Sequence, residues 1–362
     1  MKSKINLVVL TPGFAADEKD STAIPALQLF LGNFHSLHPE INIRIISFHY
    51  PFYRRNYIWK GIQVHAAGGT QNKYLKIFLW IRILICLFKI RKTNGIDIIH
   101  TFWLTETTLI GLLFGRLTGI HVVSTAMGQD IKKPNRYLSL IRLFNINLIT
   151  ISEFQANYIH GFVRTKLLKV NPFGVDLSYF QQKHGERNID ILAVASLNKT
   201  KNHLHFIDII ASLVQVFPGL VCGIIGEGNE REQIEQLLLK NGLEKRIELF
   251  GQLPYEEVIK KMQSCKILLH TSIFEGQGGV ITEALASGAY VVCYRVGIAW
   301  NLVNKKLRTG RNKAELEQHL KHILLDKIPD YSQEILFTIE DTCSVYNKIY
   351  HTLVSAKSYD SH

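Results

Sequence analysis

Three things are scarce in this sequence: cysteine pairs, long apolar runs and, over one stretch, acidic residues. The five cysteines, Cys86, Cys222, Cys265, Cys293 and Cys343, are scattered through 362 residues with no C-x-x-C pair. That spacing argues against a disulfide framework or a zinc site and fits a reducing compartment. No DxD motif or His-rich metal pair stands out, and no segment is of low complexity. A spanning helix needs ~20 consecutive apolar residues, and no run here reaches that length. The N-terminal run Ile5 to Leu10 stops at Thr11-Pro12-Gly13. It is too short for a signal-peptide core and reads as a first buried strand.

Acidic residues are missing where basic ones are dense. From Ile41 to Ile96 there is no Asp or Glu against ten Lys and Arg. Residues 1–175 carry 21 Lys and Arg against 8 Asp and Glu, whereas residues 176–362 carry 21 against 22. All of the excess positive charge therefore lies in the first half. Such a field attracts an anionic surface or substrate; a merely solvated basic face is the plainer alternative. The length suits two domains, and 47% hydrophobic residues suffice for a buried core.

What is present is an alternation of strands and helices. In the first half, strands are predicted at Ile5–Leu10, Ile43–Phe48, Ile96–His100, His121–Thr125, Leu148–Ile151 and Leu168–Val170, with helices over Ala23–His38 and Thr107–Thr118. This pattern implies an α/β fold with a parallel sheet wrapped by helices. Ligands of such sheets bind at the carboxyl ends of the strands. Gly13, His100 and Gly128–Asp130 fall at such positions. His100 and Asp130 are candidate catalytic groups. A satisfied strand-end histidine and a turn or N-cap aspartate are the structural alternatives.

The stretch Ile267–Cys293 reads as strand, loop, helix, strand. The loop Glu275–Gly279 holds three glycines in five residues, where backbone can approach a ligand. The start of the following helix offers free N–H groups at Gly278, Gly279 and Val280 for a phosphate. Glu275 and Glu283 only accept hydrogen bonds when ionised, so they suit hydroxyl groups on either side of that phosphate. Phosphate between two polyols describes a nucleotide-sugar. Against this stands the simpler possibility of a dipole-complementing Glu in a common Gly-rich loop.

Glu275-Gly276 followed by Glu283-Ala284-Leu285-Ala286-Ser287-Gly288 resembles the E-x7-E signature of retaining GT-B glycosyltransferases of the family 4, group 1 type. The resemblance implies two Rossmann-like domains facing across a cleft, with Glu275 on the donor sugar and Glu283 on the ribose. It implies sugar transfer with retention, no metal, and no cofactor besides a nucleotide diphosphate-sugar as donor substrate. Ser196–Asn202 resembles the segment whose Arg and Lys hold the diphosphate. Lys201 stands at the Lys position and Ser196 at the Arg position, one cation fewer. Ile247–Leu253 resembles the strand and loop bracketing the base, which implicates Gly251, Gln252 and Leu253. Gly13 resembles the first glycine of the family's N-terminal loop; the usual second one is missing. Asp97–His100 resembles D-x-x-H-x-H, with Phe102 at the second His. Ser124–Asp130 resembles T-x-H-G-x-D, with Met127 in place of His. Methionine takes no proton and donates no strong hydrogen bond, so that histidine's role does not carry over. The segment VNPFGVDLSYF resembles the family's interdomain linker. The implied domains are 1–172 on the acceptor side, 173–338 for the donor, and a C-terminal helix, 339–362, crossing back to the first.

Tyr74–Lys92, YLKIFLWIRILICLFKIRK, is almost wholly apolar from Ile77 to Ile90 and flanked by Lys73, Lys76, Lys89, Arg91 and Lys92. It reads as a core or interface helix, or as a basic helix lying in a membrane surface. The expected function is transfer of a sugar to a glycan or lipid-linked acceptor in cell-surface polysaccharide synthesis. The expected place is the cytoplasm, peripheral on the inner face of the cell membrane. Nucleic acid is not an expected partner, since it would explain the charge but not the paired carboxylates. Two rivals remain: a non-catalytic GT-B scaffold, favoured by Met127 and Ser196, and a sugar-nucleotide epimerase of the same fold.

Overall fold

The computed structural model describes residues 4–69, 76–132, 134–160, 165–181 and 186–359. The chain divides into two compact units, Met1–Phe173 with Ile339–His362, and Gly174–Thr338. In chain order the first unit contains β1 (Ile5–Gly13), α1 (Pro25–Leu37), β2 (Ile41–Tyr50), β3 (Arg54–Trp59), β4 (Ile62–Ala67), α2 (Lys76–Asn94), β5 (Ile98–Phe102), α3 (Glu106–Thr118), β6 (His121–Thr125), α4 (Arg136–Ile141), β7 (Ile146–Thr150), α5 (Glu153–Ile159) and β8 (Thr165–Val170). The second contains β9 (Ile189–Val194), α6 (His203–Val214), β10 (Cys222–Ile225), α7 (Arg231–Asn241), β11 (Ile247–Gly251), α8 (Tyr255–Gln263), β12 (Cys265–His270), α9 (Gly279–Ala286), β13 (Tyr290–Tyr294), β14 (Leu307–Gly310) and α10 (Lys313–Leu324). The last helix, α11 (Ile339–Tyr359), belongs to the first unit.

The first sheet runs β3-β4-β2-β1-β5-β6-β7-β8, parallel throughout except for the antiparallel β3–β4 pair. Its central strands are continuous apolar runs such as Leu7 to Leu10, as strands buried on both faces must be. The hairpin β3–β4 was not expected from the sequence. Its first strand, RRNYIW, is largely exposed and has no apolar run to reveal it. One face of this sheet is closed by α1 and α11. Ile339, Cys343, Tyr346 and Tyr350 recur at helical spacing on α11, and all are buried. Their rings meet α1, with Tyr346 4.7 Å from Phe30 and Tyr350 5.6 Å from Phe34.

The second sheet runs β11-β10-β9-β12-β13-β14 and is wholly parallel among the described residues. Apolar side chains of α6, α7 and α10 fill one face. Those of α8 and α9 fill the other. Strand order reverses direction between β9 and β12, and in doubly wound sheets the crevice at that reversal, outside the carboxyl ends, is where ligands bind. Ser196–Asn202 leaves β9 there, and the Glu275 loop leaves β12 there. In the first sheet the corresponding reversal lies between β1 and β5. Lys73, Tyr74 and Leu75 of the basic apolar segment lie outside the described residues.

Candidate functional site

The site in the second unit is assembled by short-range bonds at the ends of β9 and β12. After β9 the chain turns at Asn198, whose side-chain oxygen accepts from the N–H groups of Thr200 (3.0 Å) and Lys201 (3.2 Å). This turn is stapled to the residues after β12. Thr271 donates its hydroxyl to the carbonyls of Lys201 (3.1 Å) and Asn202 (3.0 Å), and the Ile273 N–H donates to Thr200 (2.9 Å). Gly226 after β10 permits the same closeness from the other side. A Cβ on it would sit 1.9 Å from the Ala195 carbonyl oxygen.

This scaffold brings Lys201 onto Glu275, with Nζ 2.5 Å from Oε1. His270, the last residue of β12, places Nε2 2.8 Å from the same oxygen. Glu275 and His270 are both buried. Burial opposes ionisation of Glu275, but the His270 bond and charge together with Lys201 hold its pKa at about 2. The carboxylate is therefore charged at any physiological pH. Burial is also the main reason the pKa of neighbouring His203 falls to about 4, with the charges of His270 and Lys201 adding to it.

Gly278 caps α9 in the left-handed conformation (φ 80°), which an L side chain resists. A Cβ on Gly279 would meet nothing within 4 Å, so the first turn of the helix faces open space. Its N–H groups, at Gly279 and Val280, have no intrahelical acceptors. Glu283, one turn on, is half-buried and accepts from the Tyr255 hydroxyl at 3.2 Å. Burial raises its pKa to about 7, against the opposing effect of the Tyr255 bond. The Tyr255 phenol is pushed well above its usual value, first by burial and then by Glu283, and remains a donor. Gly251, Gln252 and Leu253 lead from β11 into α8, so the segment expected to bracket a base is linked to α9 through Tyr255. Ser196 is exposed at the end of β9.

In the first unit His100 and Asp130 both sit in structural settings. His100 has no solvent exposure. Nδ1 lies 2.5 Å from the Tyr350 hydroxyl, Nε2 lies 2.8 Å from Thr125 Oγ1, and the ring stacks on Phe102 at 4.1 Å. Burial lowers its pKa to about 3. It is a core histidine that ties α11 to the sheet, with both ring nitrogens occupied. Asp130 is also buried. Its carboxylate accepts from the N–H groups of Leu104 (2.8 Å), Gly128 (2.6 Å) and Met127 (3.2 Å). Its role is to hold the loop after β6, and burial raises its pKa. Gly13 ends β1 buried against Tyr50, where a Cβ would sit 3.2 Å from the Tyr50 Cβ. Sequence reasoning did not single out His270 or Tyr255. A histidine ending a strand five residues before Glu275 was the available signal for the first. Nothing local pointed to the second.

Two parallel-sheet α/β units with this site at the reversal point define the GT-B class of glycosyltransferase fold. Residues 176–333 match the family model described as glycosyl transferases group 1. Solved structures with the same fold include a sucrose-phosphate synthase from Thermosynechococcus elongatus, with TM-score 0.77 and 14% identity over 97% of this chain and 100% of that one. Another is Anabaena HepE in complex with UDP and glucose, with TM-score 0.67 and 18% identity over 99% of this chain and 100% of that one. Among sequence relatives, the N-acetylgalactosamine-N,N'-diacetylbacillosaminyl-diphospho-undecaprenol 4-alpha-N-acetylgalactosaminyltransferase of Campylobacter jejuni is 27% identical over 64% of this chain and 67% of that protein. The phosphatidylinositol N-acetylglucosaminyltransferase gpi3 subunit of Schizosaccharomyces pombe is 26% identical over 56% of this chain and 45% of that protein.

Proposed function

We propose that this protein transfers a sugar from a nucleotide diphosphate-sugar to a glycan or lipid-linked acceptor, with retention at the sugar carbon, as a step of cell-surface polysaccharide synthesis. The observation that carries the reading is the Lys201–Glu275–His270 cluster beside the open amides of α9. An ammonium has three donors, so Lys201 can keep Glu275 and also reach a diphosphate. The amides of Gly279 and Val280 add fixed positive charge on the same group. Glu275, ionised and oriented by His270, accepts from hydroxyls of the donor sugar, and Glu283 accepts from the ribose.

In the reaction the bond from the sugar's anomeric carbon to the diphosphate oxygen breaks, and the nucleoside diphosphate departs. Lys201 and the α9 amides stabilise the charge that develops on it. The acceptor oxygen bonds to the same face of that carbon, and its proton passes to the departing phosphate oxygen. This route asks for no side-chain base, in keeping with the burial of His100 and Asp130, and for no cofactor. The names of the Campylobacter and Schizosaccharomyces relatives, a diphospho-undecaprenol N-acetylgalactosaminyltransferase and a phosphatidylinositol N-acetylglucosaminyltransferase subunit, support a lipid-linked acceptor. The test is a panel of UDP- and GDP-sugars incubated with the protein, with release of nucleoside diphosphate followed by chromatography. Turnover of one donor that is abolished in Lys201→Ala is expected. Donor binding without any release or transfer, with or without candidate acceptors, would return the protein to the scaffold reading.

A further inference from the structure

Helix α2 has two apolar faces. Leu79, Ile83 and Leu87 point inward and are buried. Ile77, Phe78, Ile81, Ile85 and Phe88 lie on the opposite side and are 45–64% exposed. The outward face of a surface helix is ordinarily polar, and contiguous exposed apolar patches mark interaction sites. The inner face is firmly held. Lys76 (3.3 Å) and Trp80 (2.8 Å) donate to the buried Glu106 at the start of α3, and Arg82 donates to the Ala67 carbonyl at 2.8 Å. The exposed face is thus presented by a docked helix.

The apolar surface continues onto the neighbouring helices. Phe88 of α2 meets Phe114 of α3 ring to ring at 4.9 Å. Leu113 and Leu117 of α3 are exposed, as are Leu140 of α4 and Leu143 just beyond it. The surrounding charge is of one sign. Lys89, Arg91 and Lys92 end α2, and Arg116 and Arg142 are exposed on or just beyond α3 and α4. The carboxylate of these three helices, Glu106, is buried, so none of them offers an exposed acid. A second copy of this chain docking face to face would set like charges against like. Anionic lipid headgroups complement them. No described helix is long and apolar enough to cross a membrane.

We infer that the α2–α3–α4 face of the first unit docks in the interface of an anionic lipid membrane. The outward side chains of α2 enter the boundary between headgroups and acyl chains, and the basic residues sit on the headgroups. The inference uses only the surface of the first unit and does not depend on the donor reading. Vesicle flotation of the full chain tests it, with phosphatidylcholine alone or mixed with phosphatidylglycerol. Flotation is expected with the anionic vesicles and is expected to fall steeply at about 1 M salt, where the screening length is about 3 Å. Changing Lys89, Arg91 and Lys92 together to Gln should weaken vesicle binding roughly a hundredfold, each basic residue contributing roughly fivefold. Ile81→Ser with Ile85→Ser should abolish stable flotation. All these positions are exposed, so unchanged circular dichroism melts are expected and serve as the folding control. Absence of flotation by the wild type, or flotation unchanged in both variants, would overturn the inference. So would a dimer of the wild type, seen by light scattering and dispersed by the double Ser variant, without vesicle binding.

Discussion

Each unit hides a glutamate in contact with a lysine and a histidine, and the two glutamates do opposite things. Glu106 is met from all around. His49 and Lys76 engage Oε1, while the Trp80 indole (2.8 Å) and the Tyr137 hydroxyl (3.1 Å) donate to Oε2. Its partners come from β2, α2 and α4, so the cluster is a knot joining those elements to α3. Glu275 has both of its side-chain partners, Lys201 and His270, on Oε1. Beside it the first turn of α9 opens on space. The pKa of each carboxyl falls to about 2 despite burial, because hydrogen bonds and positive neighbours outweigh desolvation. A depressed pKa therefore does not distinguish a site from a structural knot. The open donors beside the group do.

Breaking the knot should have the largest effect on stability. Glu106→Ala leaves a partly buried lysine and three further partners uncompensated, and a loss of about 3–5 kcal/mol is expected, read by urea unfolding of the full chain. Because its folded pKa lies below the usual 4.5, the stabilisation from Glu106 is present above about pH 4.5 and is lost as pH falls toward 2. The same measurement on Glu275→Gln should show a smaller loss, since Gln keeps an acceptor oxygen and the group has two side-chain partners against four at Glu106. That variant should instead lower donor turnover by roughly ten- to a hundredfold, the worth of a charged hydrogen bond of roughly 1.5–3 kcal/mol. A Glu275→Gln protein that unfolds like Glu106→Ala would erase the contrast.

Glu283 sharpens the comparison further. Its pKa of about 7 means that the free site is largely protonated below neutrality. A ribose diol favours the ionised carboxylate, so nucleotide affinity should rise from pH 6 to pH 8 with proton release on binding. Calorimetry in buffers of different ionisation enthalpy detects that proton. Glu283→Gln should flatten the profile. The smallest effect is expected from Tyr255→Phe, which removes the one bond opposing the upward shift. It should move the affinity midpoint to higher pH, and a midpoint that stays in place would remove Tyr255 from the account.

Legibility differed between the units for physical reasons. Glu275, Glu283 and Lys201 were readable because strand ends, a glycine loop and a fixed spacing all sit within short segments. His270 was hidden as the end of an apolar strand, and Tyr255 reaches Glu283 across 28 residues. The two readings of His100 could not be separated, because position at a strand end does not reveal what covers it. Tyr350 arrives from 250 residues away on α11 and seals it into the core. Glu106 drew no attention, since its partners at 49, 76, 80 and 137 share no local pattern. Helix α2 could not be resolved from sequence because an unbroken apolar run carries no periodicity. It proves to have one buried face and one exposed.

The most direct test of the central claim is calorimetric titration of wild type and Lys201→Ala with a nucleoside diphosphate and with the bare nucleoside. If the opening beside Lys201 and α9 holds a diphosphate, the variant loses roughly ten- to a hundredfold in affinity for the diphosphate and almost none for the nucleoside. Equal losses for both ligands, or no loss for either, would contradict the account.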